Sequence, residues 1–176
     1  MIKEVLGPQD WNFINNLLKN SKITVIDNFF TQEILSILKI RALYAKHCDN
    51  HYGIDRYYSI NYSPNQDHIT TLIAKELKKK LSKLPEFRRG WSFVYNNESK
   101  GVELHADPSE FNINIWVSGD ESVKNKSLNG LYIYKITPPA DWERKDWNGN
   151  VEKVKKYLDS KNIKPEKIDY KSNRAV

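Results

Sequence analysis

His105 and Asp107 stand two residues apart in Gly101-Val102-Glu103-Leu104-His105-Ala106-Asp107, and on an extended strand residues two apart leave the backbone on the same side. An imidazole and a carboxylate so placed can share one metal ion. A hard carboxylate with a borderline imidazole suits Fe(II), Mn(II) or Zn(II), and a strand-borne His-x-Asp supplies two of the three ligands of a facial site of two histidines and one carboxylate. The third ligand has to come from elsewhere. His47 and His51 are four apart, a spacing that clips a metal on a helix. Asn50 and Gly53 break the helix there, however, so a structural or surface role is read for both. His68, behind Asp67, reads as a helix-start residue.

The elements around the pair must position it. Arg89-Gly90-Trp91-Ser92-Phe93-Val94-Tyr95 alternates large aromatics on one face, and Asn96 to Gly101 turns the chain into a metal-bearing strand over 102–106. Downstream, Asn112, Asn114 and Trp116 share one face of a strand over 111–118, with Phe111, Ile113 and Ile115 on the other, so the two amides suggest a lined pocket. Further strands are expected at Ile23–Ile26, at Arg56–Tyr62 closed by Ser63-Pro64-Asn65, and at 130–135. Helices are expected after Pro8, carrying Trp11, Phe13, Ile14, Leu17 and Leu18, and after a Thr31 cap, with Ile34, Leu35, Leu38 and Ala42 at helical spacing. A third carries Ile69, Leu72, Ile73, Leu77 and Leu81.

Many short strands preceded by helices argue for a mostly β, α+β fold: a double-sheet jelly roll with N-terminal helices packed outside one sheet. The 176 residues and 20.7 kDa fit one domain, residues 1–176, with one core. Residues 136–168, opening on Pro138-Pro139-Ala140-Asp141-Trp142 and carrying Val151, Val154, Tyr157 and Leu158, form an inserted loop and helix that reads as a lid or binding loop.

Lysine and arginine exceed aspartate and glutamate by 28 to 22, a net charge of +6. The densest cluster, Lys78-Lys79-Lys80 with Lys83, lies on the polar side of the third helical pattern and reads as a solvated face rather than a nucleic-acid surface. A single cysteine, Cys48, excludes an internal disulfide and fits a reducing cytoplasm. No run is long and apolar enough for a membrane span, and Met1-Ile2-Lys3-Glu4 lacks a signal-peptide core. A cytoplasmic protein without a membrane partner is expected.

With these residues in view, the chain from about Lys22 to Val176 resembles the Fe(II)/2-oxoglutarate-dependent oxygenases, in their prolyl-hydroxylase-like branch. The carriers are Val25-Ile26-Asp27-Asn28-Phe29-Phe30, Tyr95 ten residues before His105, His105-Ala106-Asp107, Asn129-Gly130-Leu131-Tyr132-Ile133-Tyr134 and Tyr170-Lys171-Ser172-Asn173-Arg174-Ala175-Val176. The resemblance implies a double-stranded β-helix holding Fe(II) through His105, Asp107 and a distal histidine, with 2-oxoglutarate as cosubstrate. Tyr95 matches the tyrosine that bonds the far carboxylate of 2-oxoglutarate. Trp116 takes the place of a second tyrosine, and Asn114 lines the same wall. The family's distal histidine and the basic residue that pairs the cosubstrate both fall past Val176. By this resemblance the 176 residues are expected to be a domain lacking its C-terminal strands, inactive by itself, with self-association through an exposed sheet edge. The substrate class left open is a small molecule or a peptide. A non-catalytic jelly-roll binding module and a nucleic-acid-associated protein are the rival functions.

Overall fold

The computed structural model describes residues 2–20, 23–43, 50–51, 57–62, 67–95, 101–125 and 129–176, with 50–51 and 57–62 described through their backbone pairing. His47, Cys48, Asp49, the turns expected at 63–65 and 96–100, and the side chain of His51 lie outside the described residues. Among the described residues are five α-helices: α1 (Trp11–Asn20), α2 (Gln32–Leu43), α3 (His68–Lys80), α4 (Arg144–Trp147) and α5 (Val151–Ser160). The described strands are β1 (Asn50–His51), β2 (Tyr57–Tyr62), β3 (Gly90–Tyr95), β4 (Ile115–Trp116), β5 (Leu131–Ile133), β6 (Glu166–Ile168) and β7 (Arg174–Ala175). None of these helices is long and apolar enough to cross a membrane. The chain gathers into two compact units, residues 1–100, 113–124 and 171–176 in the first and residues 101–112 and 125–170 in the second.

In the first unit each helix begins on a side chain that satisfies a free backbone N–H. The Asp10 carboxylate accepts from Phe13 N–H at 2.9 Å, ahead of α1. Thr31 Oγ1 accepts from Ile34 N–H at 3.5 Å in α2, and Asp67 accepts from Thr70 N–H at 3.1 Å in α3. Asp67 also holds Arg41 of α2, Oδ1 to Nη2 2.8 Å, so one carboxylate caps α3 and ties it to α2. Asn15 of α1 donates to Lys80 O at 2.7 Å and accepts from Ser82 N–H at 3.1 Å, which closes the C-terminal end of α3. Ile14, Ile34, Leu35, Ile73, Leu77 and Leu81 are buried together with Val5, Phe29, Phe30 and Ala175. Phe29 and Ile34 are fully buried, each adding roughly 2–3 kcal/mol over an exposed site. Lys78, Lys79 and Lys80 lie on the exposed side of α3.

β1, β2 and β3 form an antiparallel sheet in that order, β2 meeting β3 from Tyr57 opposite Tyr95 to Tyr62 opposite Gly90. β7 is paired on both sides. Ile26 and Ala175 exchange two hydrogen bonds of 2.9 and 2.8 Å, while Ala175 lies opposite Ile115 and Arg174 opposite Trp116 of β4. The turn into β7 places Asn173 at φ 60° and 4% exposed. Its side chain donates to Phe30 O and accepts from Phe30 N–H, both at 2.9 Å, so every polar atom of this buried amide group has a partner. The two stretches at the ends of the family resemblance therefore pack on each other.

In the second unit β5 runs antiparallel to β6, Leu131 opposite Ile168 and Ile133 opposite Glu166. Gly130, at φ 131°, passes so close to Ile168 O that a Cβ would overlap it. The α4 N-terminus is closed by a reciprocal capping box between Glu143 and Asp146. α5 starts on Asn150, whose side chain accepts from Lys153 N–H at 3.0 Å. It ends on Asn162 at φ 52°, with Ile163 N–H returning to Leu158 O at 3.0 Å. Trp142 packs on Tyr157 with ring centroids 5.2 Å apart, and Lys153 Nζ lies 4.7 Å from the Trp142 centroid.

The strand expectations need correction in extent. Residues 102–106 form no strand: Leu104 bends, and Ala106 N–H bonds Trp147 O at 3.1 Å instead of a strand neighbour. Pro108 just after has no N–H to continue a ladder. The strand expected over 111–118 shortens to Ile115–Trp116, that over 130–135 to Leu131–Ile133, and Ile23–Ile26 contributes one bridge at Ile26. The inserted segment 136–168 contains α4, α5 and, at its end, β6, which anchors it to β5. The pairings among described residues make three small antiparallel sheets and close no barrel.

Candidate metal centre

His105 and Asp107 both belong to the second unit, on the irregular segment that follows Gly101. Strand geometry does not bring their side chains together there. Local hydrogen bonds do. His105 Nδ1 lies 2.6 Å from Glu103 O, and since a carbonyl can only accept, Nδ1 carries a proton and Nε2 is the ring nitrogen left for an ion. Asp107 is held from the other side: Asn112 Nδ2 donates to Asp107 Oδ2 at 3.0 Å, and Ser109 Oγ donates to Asn112 Oδ1 at 2.6 Å. With Oδ2 so engaged, Oδ1 is left facing His105 Nε2 at 3.7 Å.

That separation is longer than a hydrogen bond and suits two donors with an ion between them. The donor set fits Fe(II), Mn(II) or Zn(II): the Nε2 of an imidazole whose Nδ1–H is held by a carbonyl, and a carboxylate oxygen whose partner oxygen is held by an amide. Both side chains are reachable, at 34% and 23% exposure. Among the described residues no group of three or more His, Cys, Asp and Glu side chains is placed to hold an ion.

Asp107 also lines an open cleft of about 310 Å³, formed by residues 106–109 with Pro138, Pro139 and Trp147. The backbone bond from Ala106 to Trp147 O anchors this cleft to the end of α4, so the inserted segment supplies an apolar wall beside the carboxylate. A volume of this size takes one side chain or a small molecule.

The other site residues expected from the sequence fall in the first unit. Tyr95 ends β3, 46% exposed, with its ring 6.1 Å from that of Phe93 on the same face. Asn114 exchanges two 2.9 Å backbone hydrogen bonds with Val176, and Trp116, half-buried in β4, accepts from Asn173 N–H at 2.7 Å. Asn112 and Asn114 therefore do not share one strand face as expected. Asn112 instead serves Asp107. That role, and those of Ser109, Pro138, Pro139 and Trp147, were not read from the sequence; the turn-forming Asp-Pro-Ser after His105-Ala106 was the available signal that the segment folds back on itself.

A second electrostatic cluster stands in the first unit. Arg174 Nε and Nη2 reach the two oxygens of Asp27 at 2.6 and 3.1 Å, and Lys171 Nζ lies 2.7 Å from Oδ2. The Arg174 hydrogen bond, with Lys171 adding to it against a smaller burial effect, lowers the Asp27 pKa to about 2. This carboxylate is consumed by structure and is not free for catalysis. No protein-family model, curated protein or solved structure matches this chain.

Proposed function

We propose that this chain carries two of the three metal ligands of an Fe(II)- and 2-oxoglutarate-dependent dioxygenase, a hydroxylase of the jelly-roll class. The observation that supports the reading best is the 3.7 Å approach of His105 Nε2 and Asp107 Oδ1, each oriented by a separate hydrogen bond on its other side. Fe(II) held by His105 and Asp107 would supply, with dioxygen and 2-oxoglutarate, an oxidant able to place a hydroxyl on an unactivated carbon while the keto acid becomes succinate and carbon dioxide. His105 contributes a neutral nitrogen and Asp107 one negative charge, which leaves positions on the ion for other donors.

The resemblance that suggests the family also assigns Tyr95, Asn114 and Trp116 to 2-oxoglutarate. The cleft of residues 106–109, Pro138, Pro139 and Trp147 is where the substrate would lie against Asp107, an apolar group on the prolines and indole. Among the described residues of that lining Asp107 is the only charged side chain, which disfavours an anionic substrate and fits an uncharged small molecule or peptide side chain. The single Cys48 fits a reducing cytoplasm as the compartment of the proposed reaction, where iron stays ferrous.

The experiment is anaerobic addition of 2-oxoglutarate to the protein loaded with Fe(II). A keto acid chelating ferrous iron gives a visible charge-transfer absorption, expected here and lost in Asp107→Ala. Fe(II) binding at the pair with no such band at saturating 2-oxoglutarate would move the assignment to a metal-binding module without oxygenase chemistry.

A further inference from the structure

Asn112 lies outside the ligand pair, yet its Nδ2 donates to Asp107 Oδ2 at 3.0 Å, and Ser109 Oγ in turn donates to Asn112 Oδ1 at 2.6 Å. We infer that Asn112 is a positioning residue for the metal ligand Asp107, and that Ser109 acts on the ion only through Asn112. This rests on the reading of His105 and Asp107 as ligands and goes beyond it in naming what holds the carboxylate.

The physical argument is one of orientation. The segment carrying Asp107 has no strand ladder to fix it, and Asp107 is 23% exposed, so its carboxylate would otherwise be free to rotate toward water. An amide N–H on Oδ2 leaves Oδ1 as the oxygen presented to His105 Nε2. The amide itself has two orientations, and only the one with its oxygen toward Ser109 Oγ presents an N–H to Asp107. Ser109 in turn is placed by its own N–H, which bonds Asp107 O at 2.9 Å, so the turn Asp107-Pro108-Ser109 and the carboxylate it serves form one closed circuit. Partners that orient a ligand in this way commonly change metal affinity by about 10–100-fold when removed.

The test is Mn(II) binding, followed by the loss of the free-ion paramagnetic resonance signal, in wild type, Asn112→Ala, Ser109→Ala and the double variant, with Asp107→Ala as reference. Asn112→Ala is expected to weaken Mn(II) binding by about 10-fold or more and Ser109→Ala by less. The double variant should match Asn112→Ala alone, because Ser109 has no other route to the ion. Asn112 is exposed, so thermal unfolding of the metal-free protein should stay unchanged in all three. Affinity within twofold of wild type in Asn112→Ala would overturn the inference. So would a double variant whose loss is the product of the two single losses, or unfolding that shifts in step with affinity. Wild-type protein binding no Mn(II) that Asp107→Ala removes would instead overturn the ligand reading beneath it.

Discussion

Asp27 shows how much a single carboxylate can be asked to hold. Two cations 144 and 147 residues away in the chain converge on it, and Arg174 above all keeps its pKa near 2. Because the folded value lies below the ordinary carboxylate range, the stability it contributes is fully present above about pH 4 and is lost as pH falls from there toward 2. Asp27→Asn should cost roughly 1–2 kcal/mol at neutral pH, the upper end of the charge-assisted range being discounted for a site about one-third exposed. Its unfolding midpoint in denaturant should also lose part of the wild-type acid dependence between pH 4 and 2. Identical pH profiles for the two proteins would contradict the clamp. At this scale the sequence was legible where chemistry is carried by residue type: His105 and Asp107 stand out by their two-residue spacing. It was not legible for Asn112 and Ser109, whose roles depend on a fold-back that spacing alone does not encode.

The elements divide in the same manner. Helix positions could be read because their signals are local: Asp10, Thr31 and Asp67 cap α1, α2 and α3, and the buried Ile34, Leu35, Ile73 and Leu77 fall in the expected stripes. Strand extents could not, because a strand lasts only as long as its partner. Alternation over 102–106 and 111–113 found no ladder, and β7 owes its place to Ile26 and β4, both distant in sequence. The turn that seats β7 gives the test at this scale. Asn173→Ala removes both buried hydrogen bonds to Phe30 and puts a Cβ residue without a polar side chain at φ 60°, an expected loss of about 2–4 kcal/mol in denaturant unfolding. Asn173→Gly relieves the backbone cost alone and should fall between wild type and Asn173→Ala. Equal stability of all three would mean that the turn does not depend on the amide.

For the molecule as a whole, composition and pattern brought the reading as far as helices followed by short strands around a His-x-Asp site, while closure of a jelly roll is a matter of long-range pairing that one sequence does not display. What the structure adds is a candidate centre whose two donors are oriented independently, one through a main-chain carbonyl and one through a side-chain amide, beside a cleft walled by the inserted segment. The claim on which this account rests is that His105 and Asp107 hold one ferrous ion. Anaerobic calorimetric titration of the chain with Fe(II) tests it most directly. Binding should be saturable at one ion per chain, weak for a site to which two side chains are assigned, and weakened at least about tenfold by either His105→Ala or Asp107→Ala. Absence of binding in wild type, or binding that both variants retain unchanged, would contradict it.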